Sequence, residues 1–84
     1  MQLGIYSLEK VLFRGVASAV NCPAESGEIT ILDHHRPLIS LLKKGIIKVT
    51  DENKQEHYVP VVSGFLEVRD SGQVKFLVQE DKTQ

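Results

Sequence analysis

The chain has 84 residues, a formal net charge of −1 at pH 7 and a single cysteine. This length fits one domain, and the charge balance lacks the clustered basic surface that nucleic-acid binding requires. Because Cys22 has no partner for an internal disulfide, the fold must be held by its core. No apolar run approaches the roughly 18 residues of a membrane span, and the N-terminus has no signal-peptide pattern. We expect one domain that neither binds nucleic acid nor inserts into a membrane.

Short runs in which apolar and polar residues alternate recur along the chain, and this period is typical of half-buried β-strands. The runs occupy residues 2–6, 11–16, 19–22, 28–32, 46–50, 57–62, 65–69 and 74–78. Turn-forming residues separate them at 25–27, 51–53, 63–64 and 70–72. The pattern predicts an all-β sandwich or barrel over residues 1–79, followed by a polar tail at residues 80–84.

Two of the predicted connections are hairpins. One joins the runs at 65–69 and 74–78 across residues 70–73, and the other has a polar tip at residues 51–56. The positions of the first hairpin that should face the core are Leu66, Val68, Val74, Phe76 and Val78. Pro60 follows the second tip and lacks the N–H that a sheet ladder uses, so it predicts a sheet edge or a bulge.

The stretch from residue 26 to residue 45 is the most informative part of the chain. Gly27 supplies a turn, and a polar loop at residues 33–36 ends at Pro37, which biases Arg36 towards an extended conformation. After this proline the chain is expected to return to the core through Leu38, Ile39, Leu41 and Leu42. Residues 37–44 also have possible helical spacing, although they are too few for an independent helix.

The sequence contains few of the residue patterns that catalytic sites require. Serine, histidine and aspartate are present, but no Gly-x-Ser-x-Gly frame organises a triad and no glycine loop suits a nucleotide. Asp33, His34 and His35, with Glu28 nearby, are the best metal candidates because imidazole and carboxylate suit zinc. Adjacent residues of an extended chain point to opposite sides, however, so a solvated or partner-facing loop is the favoured interpretation.

Two further polar groups have simple structural interpretations. His57, beside Glu56, is predicted to be an exposed cross-strand neighbour at the base of a hairpin. The adjacent acids Asp51 and Glu52 are predicted to be a solvated turn and not a general acid and base. The residues therefore indicate no catalytic group, no metal site and no cofactor.

Two blocks of sequence together carry a family pattern. The first is Gly27-Glu28-Ile29-x-Ile31-Leu32-x-x-His35-x-Pro37-Leu38, and the second is Val62-Ser63-Gly64-Phe65-Leu66-Glu67-Val68. Lys44-Gly45-Ile46 lies between them, Val74-x-x-Leu77 follows them, and residues 8–16 match upstream. In this order they resemble the N-terminal β-sandwich domain of the F-type ATP synthase epsilon subunit over nearly the whole chain.

The resemblance implies a two-sheet antiparallel β-sandwich and a noncatalytic subunit of the central stalk. Such a subunit binds the gamma subunit and the membrane ring of c subunits, and it couples ion translocation to rotary ATP synthesis. It would be a peripheral part of the complex on the cytoplasmic face of the energy-transducing membrane. By position, the resemblance assigns Glu28 to the c-ring contact and His35, Ser40 and Ser7 to the gamma contact.

The sequence departs from the family pattern in two places. Asp33, His34 and Arg36 place charged or polar groups on a loop that usually carries fewer such groups in the family. Family members also commonly continue into a two-helix hairpin that binds nucleotide in some of them, whereas this chain stops after the sandwich. If this is a natural short form, we expect it to bind no ATP.

Two other classes of function stay open at this point. One is a freestanding β-sandwich module that binds an unrelated protein partner, and the other is a small metal-dependent or hydrolytic enzyme. Formation of a complex with a gamma subunit would distinguish the stalk subunit from these two alternatives.

Overall fold

The computed structural model describes residues 1–82, which form seven β-strands. The strands are β1 (Gln2–Tyr6), β2 (Val11–Ala24), β3 (Gly27–Leu32), β4 (Leu38–Leu42), β5 (Gly45–Asp51), β6 (Glu56–Val68) and β7 (Gln73–Glu80). Among the described residues, no helix has the length and apolar character that a membrane crossing requires. The predicted polar tail begins at Glu80, which is the last residue of β7, and its residues 83–84 lie outside the described part of the chain.

The strands form two layers that share β2 and β6. Sheet I has the order β2–β1–β7–β6–β4, and sheet II has the order β3–β2–β5–β6. The first half of β2 pairs with β1 and its second half with β3 and β5, while β6 passes from β5 to β4 and β7. All pairs are antiparallel except β1 and β7, which are parallel. The two-sheet β-sandwich predicted from the sequence is confirmed.

The core lies between the inner faces of the two sheets. Ile5, Leu66 and Phe76 from sheet I and Ile31 and Ile47 from sheet II are completely buried. All the inward positions predicted for the hairpin of β6 and β7 are buried as well. Alternation of apolar and polar residues therefore sets the orientation of these strands, because successive side chains point to opposite faces.

One predicted turn is wrong, because β6 is a continuous strand, and two of the predicted strand runs form the single strand β2. Residues 11–16 and 19–22 belong to one strand, and the turn signal at Ser63 and Gly64 lies inside β6. Here the ladder with β7 slips between Val61 and Ser63, and a side chain at Gly64 would collide with the Leu77 carbonyl oxygen. The glycine thus permits close packing at a bend in the strand instead of a reversal of the chain.

The sequence predicts a sheet edge or a bulge at Pro60, which lies opposite Ile46 of β5 and next to the register shift between Val61 and Ser63 in the ladder with β7. Its carbonyl oxygen accepts a hydrogen bond from the Asp81 N–H at 2.9 Å, on the side of β6 that faces away from β5. The proline nitrogen faces the same side, where β6 pairs with β7 only from Val61 onward. The missing N–H therefore removes no bond from the ladder with β5.

Of the four residues predicted to return to the core, Leu38 and Leu42 do so and Ile39 and Leu41 do not, and the possible helical spacing of this stretch is wrong. Residues 38–42 form β4, which pairs with β6 along its whole length. Leu38 and Leu42 face inward, whereas Ile39 is 75% exposed and Leu41 is 45% exposed. A strand can bury only alternate side chains on one face, so half of an apolar run of this kind must point outward.

Cys22 is completely buried on β2 and forms no disulfide within residues 1–82. Burial, together with the negative charge of Glu28, raises the pKa of its thiol to about 12. At neutral pH the side chain is therefore a small apolar group and a poor nucleophile.

The predicted hairpin at residues 51–56 is confirmed, and Asp51 organises its tip. Its Oδ1 atom accepts hydrogen bonds from the backbone N–H groups of Asn53 and Gln55 at 2.8 and 2.9 Å. Its Oδ2 atom lies 2.8 Å from Nε2 of His57. His57 lies opposite Val49 at the base of the hairpin, as predicted, but it is half-buried and its ring centroid lies 5.2 Å from that of Phe13, so it is less exposed than the sequence suggests.

We predict that Phe76→Ala removes a large part of the stability of the fold. Replacing a fully buried phenylalanine by alanine costs about 3–5 kcal/mol, and a domain of this size has roughly 4–13 kcal/mol in total. Urea unfolding measures the free-energy change, and Gln79→Ala on the exposed face of the same strand is the control. An equal loss in both variants would contradict the central position of Phe76.

We predict that Asp51 stabilises the fold at neutral pH and not in acid. The hydrogen bond from His57 and the backbone N–H of Gln55 hold the pKa of Asp51 below its usual value. Because the pKa is lower in the folded state, this stabilisation is present above the unfolded pKa of about 3.9 and is lost as the pH falls through the folded value. Asp51→Asn should therefore be less stable than the original chain at pH 7, and the difference should shrink below about pH 4.

Chemical denaturation at a series of pH values measures this difference. Glu52→Gln is the matched control, because Glu52 is an exposed acid at the same tip. A loss of stability in Asp51→Asn that stays constant with pH would show that the charge of Asp51 is not responsible.

Candidate functional site

The described residues contain no cluster of three or more histidine, cysteine, aspartate or glutamate side chains that could hold a metal ion. Asp33 is instead engaged by the N-terminal amino group, whose nitrogen lies 2.7 Å from Oδ1 of Asp33 and also donates to the Ala17 carbonyl oxygen. This hydrogen bond and the charge of the amine lower the pKa of Asp33.

Glu28 lies at the start of β3, next to the turn that joins it to β2. It is exposed and pairs with Pro23 across the ladder, and its carboxylate makes no hydrogen bond or ion pair within residues 1–82. Gly27 has a φ of 131°, which fits the turn predicted there. The turn thus presents a carboxylate whose acceptor oxygens are open to a partner.

His35 lies in the loop between β3 and β4. Its backbone N–H donates to the Leu32 carbonyl oxygen at 3.2 Å, and His34 adopts a left-handed conformation with a φ of 67°. Nδ1 of His35 lies 2.7 Å from the Arg36 carbonyl oxygen, to which it can only donate. In the neutral tautomer this leaves Nε2 as a hydrogen-bond acceptor at an exposed position.

Ser40 and Ser7 are less accessible than the sequence suggests. Ser40 is half-buried on the inner side of β4, opposite the buried Leu66, and its hydroxyl donates to the Leu41 carbonyl oxygen at 3.0 Å. The hydroxyl oxygen of Ser7 accepts hydrogen bonds from the N–H groups of Glu9 and Lys10, each at 3.2 Å. Ser7 therefore shapes the turn between β1 and β2.

The structure does not bring these residues together. Glu28 lies near the start of β3 and His35 in the loop beyond its end, so about 14 Å of extended strand from Glu28 to Leu32 separates them. Ser40 lies on β4 at one edge of sheet I, and β6 and β7 separate it from β1, beyond which Ser7 lies. Any partner that touches His35, Ser40 and Ser7 must extend across the whole of sheet I.

The outer face of sheet I carries a line of apolar side chains that the sequence interpretation missed. Tyr6 pairs with Leu77, Leu77 with Phe65, and Phe65 with Leu41, so one side chain from each of four adjacent strands stands in line. We call these four residues the apolar row. Leu77 is 54% exposed and Phe65 is 56% exposed. An exposed apolar surface that continues across several strands is typical of a protein-binding site.

A signal for the apolar row is present in the sequence. Phe76, Leu77 and Val78 form an uninterrupted apolar run within a strand, and Leu41 and Leu42 form another. Because successive residues face opposite sides, each run must expose at least one apolar side chain. If the alternation of faces is applied to every residue of these runs, Leu41 and Leu77 are assigned to the outer face of the sheet.

Comparison with known proteins gives a consistent result. Residues 1–81 match the family model of the ATP synthase delta/epsilon chain β-sandwich domain. A curated relative, the ATP synthase epsilon chain of Bordetella petrii, is 38% identical over 69 residues, which are 82% of this chain and 49% of that protein. The chain therefore spans about half the length of this relative.

Solved structures show the same fold. A chain of the Euglena gracilis mitochondrial ATP synthase, in a cryo-EM structure with OSCP, F1 and c-ring, superposes with a TM-score of 0.87 at 22% identity, covering 93% of this chain and 49% of its own. A chain of the Tetrahymena thermophila mitochondrial ATP synthase central stalk and c-ring has a TM-score of 0.80 at 12% identity, covering 94% and 63%. With the family match over residues 1–81, the chain belongs to the family of ATP synthase delta/epsilon chain β-sandwich domains.

Proposed function

We propose that this chain is a noncatalytic subunit of the central stalk of an F-type ATP synthase. In this role it binds the gamma subunit and the c-ring and couples ion translocation to rotary ATP synthesis. The observation that carries the proposal is the apolar row, in which Leu41, Phe65 and Leu77 are exposed and Tyr6 is half-buried, on the outer face of a sheet in a domain of this family. It gives the chain a surface for a protein partner.

The apolar row is the proposed centre of the gamma contact. Burying a leucine or phenylalanine side chain that was exposed to water contributes about 1.5–3 kcal/mol. Ile39, on the same face of β4, extends the apolar surface towards the loop that contains His35. His35 would meet gamma at the rim of this contact through its free ring nitrogen.

Ser40 and Ser7 have smaller parts in the proposed gamma contact. Ser40 is half-buried on β4, whose side away from β6 pairs with β2 at Leu42, so its contact would be made by a segment that reaches this side of the strand. Ser7 would act through the turn that it shapes, because Leu8 at the tip of that turn is fully exposed.

Glu28 is the proposed contact with the c-ring. A carboxylate without an internal partner can form charge-assisted hydrogen bonds to arginine side chains of the polar loops of a ring. An exposed ion pair of this kind contributes about 0–1 kcal/mol, so its main effect is on the orientation of the subunit. This role would place the chain as a peripheral component on the cytoplasmic face of the energy-transducing membrane.

We predict that the chain forms a complex with the gamma subunit of the same organism and that Leu77→Ser weakens it at least about tenfold, as expected for a central apolar contact. The Kd can be measured by calorimetry and the complex detected by size-exclusion chromatography at micromolar concentrations. Ile46→Ser is the matched control, because Ile46 is 52% exposed on the outer face of sheet II.

Two outcomes would count against this proposal. Absence of a complex between the original chain and gamma would exclude the stalk function and favour a freestanding binding module. An equal effect of Ile46→Ser and Leu77→Ser would show that the apolar row is not the contact surface.

We predict that Glu28→Lys loosens attachment of the subunit to the c-ring without destabilising the fold. A substitution at an exposed site without partners usually changes stability by no more than about 0.5 kcal/mol. Co-sedimentation with membranes that contain the ring measures attachment, and thermal unfolding measures stability. Glu52→Lys at the other end of the sandwich is the control. A large fall in melting temperature would instead make Glu28 a structural residue.

A further inference from the structure

A shallow groove beside the apolar row is lined by hydrogen-bond donors. Gly4 pairs with Arg14 on one side and with Lys75 on the other, so two cations flank a residue that has no side chain. Tyr6 covers this glycine, because a Cβ atom at position 4 would collide with the Tyr6 hydroxyl group. With Gln2 and Gln73 at one end, the depression has a volume of about 280 Å³. We call it the basic groove.

The cations of the basic groove have no internal counterion. Within residues 1–82, neither the Arg14 guanidinium nor the Lys75 ammonium group forms an ion pair, and the Tyr6 hydroxyl makes no hydrogen bond. Glu67 faces Lys75 across the ladder, but its Oε1 atom lies 3.2 Å from Nε of Arg69. This part of sheet I is therefore locally positive in a chain whose net charge is −1.

We propose that the basic groove receives a carboxylate side chain of the protein that covers the apolar row. Tyr6 belongs to both features, since it ends the row and also covers Gly4. A single partner surface that buries the row must therefore also approach Arg14 and Lys75. The inference rests on the proposed function, in which this partner is the gamma subunit.

The chemistry of the groove selects a carboxylate that is attached to a protein. Guanidinium, ammonium, phenol and amide groups all donate hydrogen bonds, and an ionised carboxylate is an acceptor only. A free anion held by two exposed cations would gain little, because exposed ion pairs are screened by water and salt. The apolar row beside the groove would exclude water once it is covered, and this strengthens the same charge pair.

The test compares charge variants of the full chain in binding to gamma. Arg14→Glu and Lys75→Glu are each expected to raise the Kd at least about tenfold, mainly through slower association, and to reduce the dependence of the association rate on salt. Lys54→Glu is the control, because it makes the same change in charge on the hairpin between β5 and β6 and should alter the Kd by less than about twofold.

The outcomes separate this inference from the proposed function. If the original chain binds gamma and Leu77→Ser weakens binding while the two groove variants do not, the groove inference is wrong and the stalk function stands. If the original chain does not bind gamma, both are wrong. Arg14-dependent and Lys75-dependent binding to vesicles of phosphatidylcholine and phosphatidylglycerol, with gamma binding unaffected, would overturn the inference in favour of a lipid ligand.

Discussion

The structure depends on the two strands that belong to both layers. Each of β2 and β6 pairs with one set of neighbours in its first half and with another set in its second half, so the two sheets are hydrogen-bonded into one body. A chain of this size buries only about 60% of the surface that it exposes when unfolded. Its stability is therefore small, and poor packing between the two sheets would remove much of it. Sharing two strands lets a small core, centred on Phe76, close on both sides.

This closure leaves the outer faces of the sheets available for function. On sheet I, the apolar row points outward, with Leu41, Phe65 and Leu77 exposed, because the inner positions of β1, β7, β6 and β4 are already filled. Within residues 1–82 no other element packs over these side chains. Their exposure is therefore a property of the fold, and its natural explanation is a partner that buries them.

The sequence predicts the features of the fold that arise from neighbouring residues. The hairpins at both polar tips, the turn at Gly27 and the inward side chains of β7 all follow from local periodicity and turn chemistry. The continuity of β6 through Ser63 and Gly64 does not follow from local sequence. A glycine can end a strand or permit close packing within it, and the sequence alone does not distinguish the two cases. Glu28 is exposed at a turn as its local sequence suggests, but the separation of His35 from Ser7 depends on strand order, which only long-range pairing determines.

The two proposed contact surfaces carry charges of opposite sign, and this difference can determine how the subunit is oriented between its partners. Within residues 1–82, Glu28 presents a carboxylate without an ion-pair partner at one end of β3, whereas Arg14 and Lys75 present cations without one on the outer face of sheet I. If each surface is matched by a partner of opposite charge, exchanging the two partners would bring like charges together at both contacts, and each such contact is costly. The continuous strand β2 joins these surfaces, because its second half pairs with β3 beside Glu28 and its first half pairs with β1 beside Tyr6. A force applied at one contact would therefore reach the other through paired backbone without crossing a flexible loop.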